Sequence, residues 1–223
     1  MSLRGATIAF DLDGTLVDTI GDLIGSMNTL LGEEGLSPFP IEAGRRLIGH
    51  GVAAAVEGAF VEKGQHPDSG RLDALVGRFT EIYRGRIAQE SVPFPGVPEA
   101  LDRLAAAGAT LAVCTNKRTA LSLELLDALK LTDRFAVVAG GDLIAQKPDP
   151  RILRYAIDKA GGDITRSLYV GDSMVDHATA RAAGVPVVGV SFGYVQTPLK
   201  AEDFDALIGA FEELPGVAER LLG

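Results

Sequence analysis

The sequence predicts an α/β protein: a Rossmann-like parallel sheet in a three-layer α/β/α core, interrupted by a small all-helical insert. Three observations carry this. From about Gly96 onward, short apolar runs alternate with helix-length amphipathic stretches, the β-α-β rhythm that builds a parallel sheet with helices on both faces. Between residues 19 and 91 that rhythm breaks, and only helical spacing is left. The residues able to do chemistry fall where strands are expected to end, which is where open parallel sheets bind ligands.

The elements follow in order. Ala6-Thr7-Ile8-Ala9-Phe10 is apolar and partly β-branched, as in a short buried strand. In the insert, Ile20, Leu23, Ile24, Met27, Leu30 and Leu31 recur at helical spacing, and residues 41–48, 52–61 and 72–87 also read as helices. Pro93, Pro95, Gly96 and Pro98 then form a stiff, turn-prone junction. Beyond it, 97–107, 119–129, 150–160 and 175–183 are predicted helices, with Pro150 suited to a first helical turn. Residues 109–114, 136–139, 167–170 and 185–190 are predicted strands. The expected division is a discontinuous core, 1–18 and 92–223, with an insert at 19–91.

Composition narrows the classes. The chain has 223 residues, 47% of them hydrophobic and 23% charged, enough for a globular core and unlike a disordered chain. A net charge of −9 without a Lys/Arg run speaks against nucleic acid and against anionic membranes as partners. A small anionic substrate stays open, because a bound metal and one or two lysines reverse the potential locally. The single cysteine, Cys114, permits no internal disulfide and fits a reducing compartment. The first residues lack the basic-then-apolar pattern of a secretory leader, and no stretch is long and apolar enough to span a bilayer. The expectation is a soluble cytoplasmic protein; oligomeric state leaves no readable mark.

Four clusters stand at predicted strand ends. The first is Asp11-Leu12-Asp13-Gly14-Thr15. Residues two apart in an extended chain point the same way, so Asp11 and Asp13 share a side. Gly14 allows a tight turn and close approach to a ligand. Two such carboxylates repel unless a cation or a shared proton intervenes, which makes the pair a poor structural device and a good catalytic one. The second cluster is Thr115-Asn116, a hydroxyl and an amide before a predicted helix: a phosphate site, or an ordinary N-cap. The third is Lys147-Pro148-Asp149-Pro150, a lysine with its backbone restrained by two prolines. The fourth is Gly171-Asp172-Ser173-Met174-Val175-Asp176, two carboxylates at a helix start, where negative charge is favoured and simple capping is the alternative. Converging, these residues call for a hard divalent cation held by oxygen, with Mg²⁺ the natural candidate beside a phosphate.

In order and spacing, these four motifs resemble those of the haloacid dehalogenase superfamily, and the resemblance covers nearly the whole chain, the helical insert corresponding to that superfamily's mobile cap. It implies that Asp11 is the nucleophile that becomes an aspartyl phosphate and that Asp13 is the general acid and then the base. It implies that Gly14, Thr115, Asn116 and Lys147 bind the phosphoryl group. Asp11, the Asp13 carbonyl and Asp172 would hold Mg²⁺, with Ser173 and Asp176 supporting them. Dehalogenases and phosphonate hydrolases of the superfamily lack the second aspartate, whereas this chain has Asp13. The wording Ile48-Gly49-His50-Gly51-Val52, Phe94-Pro95-Gly96-Val97 and Phe192-Gly193-Tyr194 looks most like the phosphoglycolate phosphatases of the superfamily. The expected substrate is therefore a small phosphorylated metabolite, 2-phosphoglycolate first. A β-phosphoglucomutase-like mutase and a non-catalytic phosphate-ligand sensor are the rival readings.

In the insert, Arg45, Arg46 and His50 are the expected contacts to the substrate beyond its phosphate, with at most one of the adjacent arginines able to face the pocket. Gly49-His50-Gly51-Val52-Ala53-Ala54 matches a loose dinucleotide fingerprint, but it follows a helical pattern rather than a strand. His66 and His177 are expected at the surface, and Cys114 in the core.

Overall fold

The structure is a computed structural model, and it describes residues 2–194 and 199–223. In chain order the elements are β1 (Thr7–Phe10), β2 (Val17–Asp18), α1 (Ile20–Glu33), α2 (Ile41–Gly44), α3 (Val52–Glu62), α4 (Ser69–Arg84), β3 (Val92–Pro93), α5 (Val97–Ala106), β4 (Thr110–Thr115), α6 (Thr119–Ala128), β5 (Val137–Gly140), α7 (Pro150–Lys159), β6 (Ser167–Gly171), α8 (Met174–Ala183), β7 (Val187–Val190), β8 (Ala206–Ile208) and α9 (Leu214–Leu222).

Six strands form one parallel sheet in the order β5-β4-β1-β6-β7-β8. The strands read as continuous apolar runs because both faces are covered. Ile8 and Phe10 of β1 point to one face, with Leu111, Val113, Leu168 and Val170, and pack on α5, α6 and α9. Ala9, Ala112, Cys114 and Tyr169 point to the other, against α7 and α8. This period-2 alternation produces the three layers expected from the sequence. β1 lies at the centre, between β4 and β6, so its end at Asp11 is flanked by the ends of both neighbours.

The helices of the insert build a hydrophobic cluster of their own from Leu23, Met27, Leu30 and Leu31 of α1, Val56 and Phe60 of α3, and Leu75, Phe79 and Tyr83 of α4. The apolar stripe of α1 divides: Ile20 and Ile24 pack instead on Tyr194 of the core. Leu121 of α6, spaced like a core residue, joins the insert's cluster. The chain crosses between the two regions twice, and the crossings pair as the antiparallel ribbon β2–β3. Asp22, fully buried in the first turn of α1, fastens the second crossing: its Oδ2 accepts from Glu90 N (3.0 Å), Ser91 N (2.8 Å) and Ser91 Oγ (2.7 Å).

Three expectations shift. Residues 41–48 do not make one helix: α2 lasts one turn, a 3₁₀ turn follows at Arg45–Leu47, and Ile48 is extended. Gly49 follows at φ +110, outside any right-handed helix. The helix expected at 72–87 begins earlier, at Ser69, because Asp68 caps it by accepting from Arg71 N (2.8 Å). β8 and α9 had no counterpart in the sequence reading; three residues of strand carry too little periodicity to stand out.

Candidate active site

All four clusters meet at the carboxyl end of the sheet. Asp11 follows the last residue of β1, and its N–H donates to Val170 O of β6 (2.9 Å). The chain then turns at once, with Leu12 O accepting from Leu16 N and Val17 N (both 3.0 Å). Gly14 sits at φ +82, and a β-carbon there would lie 2.6 Å from Asp172 Oδ2, so conformation and space both demand glycine.

Two buried lysines organise the site. Lys147 Nζ lies 2.8 Å from Asp11 Oδ1, 2.6 Å from Asp176 Oδ1 and 3.2 Å from the Tyr169 hydroxyl. Burial alone would pull this ammonium down, but the carboxylates of Asp11 and Asp176 outweigh it and hold the lysine above its usual value. The Tyr169 oxygen stands 2.8 Å from Cys114 O and 2.9 Å from Asp176 Oδ1, and its single proton serves one of them at a time. Asp176 also closes a capping box on α8: Ser173 N (3.1 Å) and Oγ (2.5 Å) donate to its Oδ2, and Ser173 Oγ accepts from Asp176 N (3.2 Å). Asp176 therefore caps α8 through one oxygen and meets Lys147 and Tyr169 through the other.

The second lysine, Lys117, was missed from sequence. Its Nζ lies 2.9 and 3.2 Å from the two oxygens of Asp13, and 4.4 Å from the ring centroid of Tyr83 on α4. Thr19 Oγ1 donates to Asp13 Oδ1 as well (2.7 Å). A usable signal existed: Lys117 follows Thr115 by two and leaves the same strand end.

Thr115 and Asn116 are not the N-cap of α6, a place taken by Arg118. Thr115 instead ends β4, where its Oγ1 accepts from Lys117 N (3.2 Å) and keeps its own proton for another acceptor. Asn116 Oδ1 accepts from Lys147 N (2.7 Å), and Asn116 Nδ2 donates to Lys147 O (3.2 Å) and to Gly49 O (3.0 Å), joining the insert to the core.

Asp11, Asp172 and Asp176 each offer an oxygen within 4.8 Å of one another. Burial pushes the Asp11 carboxyl up to about 6, partly offset by the charge of Lys147. Asp172 rises to about 8, through burial first and then the charges of Asp176 and Asp11. Among the described residues, Asp172 receives only Thr15 Oγ1 (3.3 Å) and Tyr194 N (2.7 Å). A β-carbon on Gly193 would collide with it, which explains Phe192-Gly193-Tyr194 locally. This is a donor set for a hard cation: buried, oxygen-only and carrying uncompensated negative charge. Asp13 turns its carboxylate away from this trio, toward Lys117 and Thr19.

The insert forms the roof. A narrow cavity of about 70 Å³ reaches Asp11, Asp13, Thr115 and Lys147 below, and Leu47, Phe79 and Tyr83 above. A more open mouth of about 280 Å³ is bordered by Arg45, Arg46, His50, Asp172 and Tyr194. Arg45 lies over the Tyr194 ring (5.8 Å) and pairs with Glu42 (3.0 Å). Arg46 is bound to Glu62 and to Ala43 O. His50 and His66 are exposed and His177 is half-buried against Phe204. The glycines of Gly49-His50-Gly51 lead into α3 from a 3₁₀ turn, not from a strand, so no dinucleotide fold surrounds them. Cys114 is fully buried in the core, and its thiol is pushed up to about 12 by burial. No helix among the described residues is long and apolar enough to cross a membrane.

The sequence profile of the haloacid dehalogenase-like hydrolases matches residues 8–190. The phosphoglycolate phosphatase of Caulobacter vibrioides is 48% identical over 221 residues, covering 99% of this chain and 93% of that protein. The crystal structure of a predicted phosphoglycolate phosphatase from Haemophilus somnus superposes with a TM-score of 0.87 at 31% identity, covering 97% of this chain and 99% of that one. CbbY from Rhodobacter sphaeroides, solved in complex with phosphate, superposes with a TM-score of 0.81 at 25% identity over 94% and 96% of the two chains. With its parallel sheet, its strand-end carboxylates and these similarities, the chain belongs to the haloacid dehalogenase-like hydrolases, as a phosphoglycolate phosphatase-like phosphoric monoester hydrolase.

Proposed function

We propose that the protein hydrolyses small phosphomonoesters, 2-phosphoglycolate foremost, to the alcohol and inorganic phosphate through an aspartyl phosphate on Asp11, with Mg²⁺ as its metal. The observation that carries this reading is the pairing at one strand end. Asp11 is held by Lys147, while Asp13, two residues on, is held separately by Lys117 and Thr19. Two carboxylates in two environments can take two roles.

In the first half-reaction the Asp11 carboxylate attacks phosphorus and the bond to the leaving glycolate oxygen breaks, with Asp13 donating a proton to that oxygen. In the second, Asp13 takes a proton from the water that attacks phosphorus, and the Asp11–phosphorus bond breaks. Thr115, Asn116, Gly14 and Lys147 would receive the phosphoryl oxygens, Thr115 through the hydroxyl proton it keeps free. Phosphoryl transfer asks mainly for such positioning and charge stabilisation. Asp11 and Asp172, with the Asp13 carbonyl, would hold Mg²⁺, which supplies positive charge against the phosphate oxygens; Ser173 and Asp176 orient their surroundings. Residues 19–91 act as a cap over this site, hinged at the β2–β3 ribbon, and Arg45 and His50 contact the substrate from the open mouth.

The test is phosphate release from a panel containing 2-phosphoglycolate, hexose phosphates and an aryl phosphate. The highest kcat/KM is expected on 2-phosphoglycolate, with activity lost to a chelator and restored by Mg²⁺. Interconversion of a hexose phosphate without phosphate release would replace this reading by the mutase. Full activity in excess chelator would remove the metal from it.

A further inference from the structure

We propose that Lys117 of the core and Tyr83 of the helical insert together form a recess for a second anionic group on the substrate, a carboxylate, on the side of the narrow cavity. This deepens the proposed function and rests on it.

The two buried lysines differ in what they have left to give. Lys147 Nζ stands between two carboxylates, Asp11 and Asp176, with the Tyr169 hydroxyl beside it. Lys117 Nζ faces one carboxylate, Asp13, and the neutral Tyr83 side chain, so its charge is the less compensated of the two. Its side chain is only 6% exposed, and it lines the narrow cavity rather than the open mouth.

Tyr83 is the second, independent observation. It is almost fully buried, it lines the same cavity, and its hydroxyl proton finds no acceptor among the described residues. A buried hydroxyl without a partner is costly and rare. An oxyanion beside Tyr83 and Lys117 would accept the hydroxyl proton and meet the charge of the lysine. Such charge-assisted bonds are the stronger kind, more so with water excluded. The insert's share of the lining is apolar apart from Tyr83, with Leu23, Leu47, Val52, Ala55 and Phe79, so Tyr83 is the donor that the roof offers an anion above Lys117. Arg45, by contrast, stands at the open mouth and is already paired with Glu42.

The experiment compares kcat/KM for 2-phosphoglycolate and for ethyl phosphate, which has the same chain length and no carboxylate, in wild type, Lys117→Met and Tyr83→Phe. The quantity read is the ratio of the two values. Wild type should favour 2-phosphoglycolate, Lys117→Met should lower the ratio roughly ten- to a hundredfold, and Tyr83→Phe several-fold. If Lys117 only holds Asp13 in place, both substrates suffer equally, the ratio stays at its wild-type value, and the recess is wrong. The Tyr83→Phe variant, which removes a single oxygen, keeps the test decisive should Lys117→Met fail to fold. A wild-type enzyme without preference for the carboxylate would overturn the substrate assignment itself, a result distinct from an unchanged ratio in the variants.

Discussion

The strand ends and the helical roof above them are built on opposite terms. Below, charged groups hold one another: Lys147 is shared by Asp11 and Asp176, Asp176 is also bound by Ser173, and Asp172 is gripped by Thr15 and Tyr194. Above, the lining is mostly apolar: the Tyr83 hydroxyl proton has no acceptor among the described residues, His50 is exposed, and Arg45 and Arg46 pair within the insert rather than with the strand ends. The difference assigns the roles. Chemistry needs a geometry that does not move, and rigid elements supply it. Recognition can be left to a surface that meets the substrate only when it arrives.

Breaking the lower half should give the largest effect. Asp11→Asn keeps the shape and removes the proposed nucleophile, so phosphate release should fall by at least ~10³-fold with an unchanged circular dichroism spectrum. Near-normal turnover in the purified variant would contradict the covalent mechanism.

The clamp between the halves comes next. Asp22→Ala strands the Glu90 and Ser91 donors and leaves Arg86, at 3.4 Å, without its buried partner. The expected loss is about 3 kcal/mol in denaturant unfolding. A loss below about 1 kcal/mol would mean that water replaces the carboxylate and that the two crossings hold without it.

Metal-free protein offers a third measurement. The folded-state values of Asp11 (about 6) and Asp172 (about 8) lie above those of free aspartate, so between pH 4 and 8 the folded state binds more protons than the unfolded one. The contribution of these groups to stability is complete below the unfolded value and is lost as pH rises through 6 and then 8. Melting temperature without metal should therefore decline across that window, and saturating Mg²⁺ should flatten the decline. A flat metal-free profile would show that the carboxylate trio is better solvated than its burial indicates.

The smallest effects sharpen the roof. Arg45→Ala should lower turnover of 2-phosphoglycolate roughly three- to tenfold, since Arg45 borders the open mouth beside Tyr194. Arg46→Ala should leave turnover near wild type, its guanidinium being tied to Glu62 and Ala43. The reverse order in steady-state kinetics would reassign the facing arginine.

Sequence by itself determined the core. Alternating apolar runs and amphipathic stretches are local patterns, and a residue at the end of such a run ends up at the end of a strand; Asp11, Thr115 and Asp172 were legible for that reason, and Lys147 by the two prolines that restrain it before α7. The helical character of the insert was legible in the spacing of Ile20 to Leu31. Only the tertiary structure decided what these residues touch. The fold sets Lys117 against Asp13 and lays Tyr83 of the roof beside it. The partners of Asp22 lie 68 and 69 residues away. Periodicity reports which way a side chain points along its own element. The partner it meets is set by how distant elements pack, and that information is spread over the whole chain.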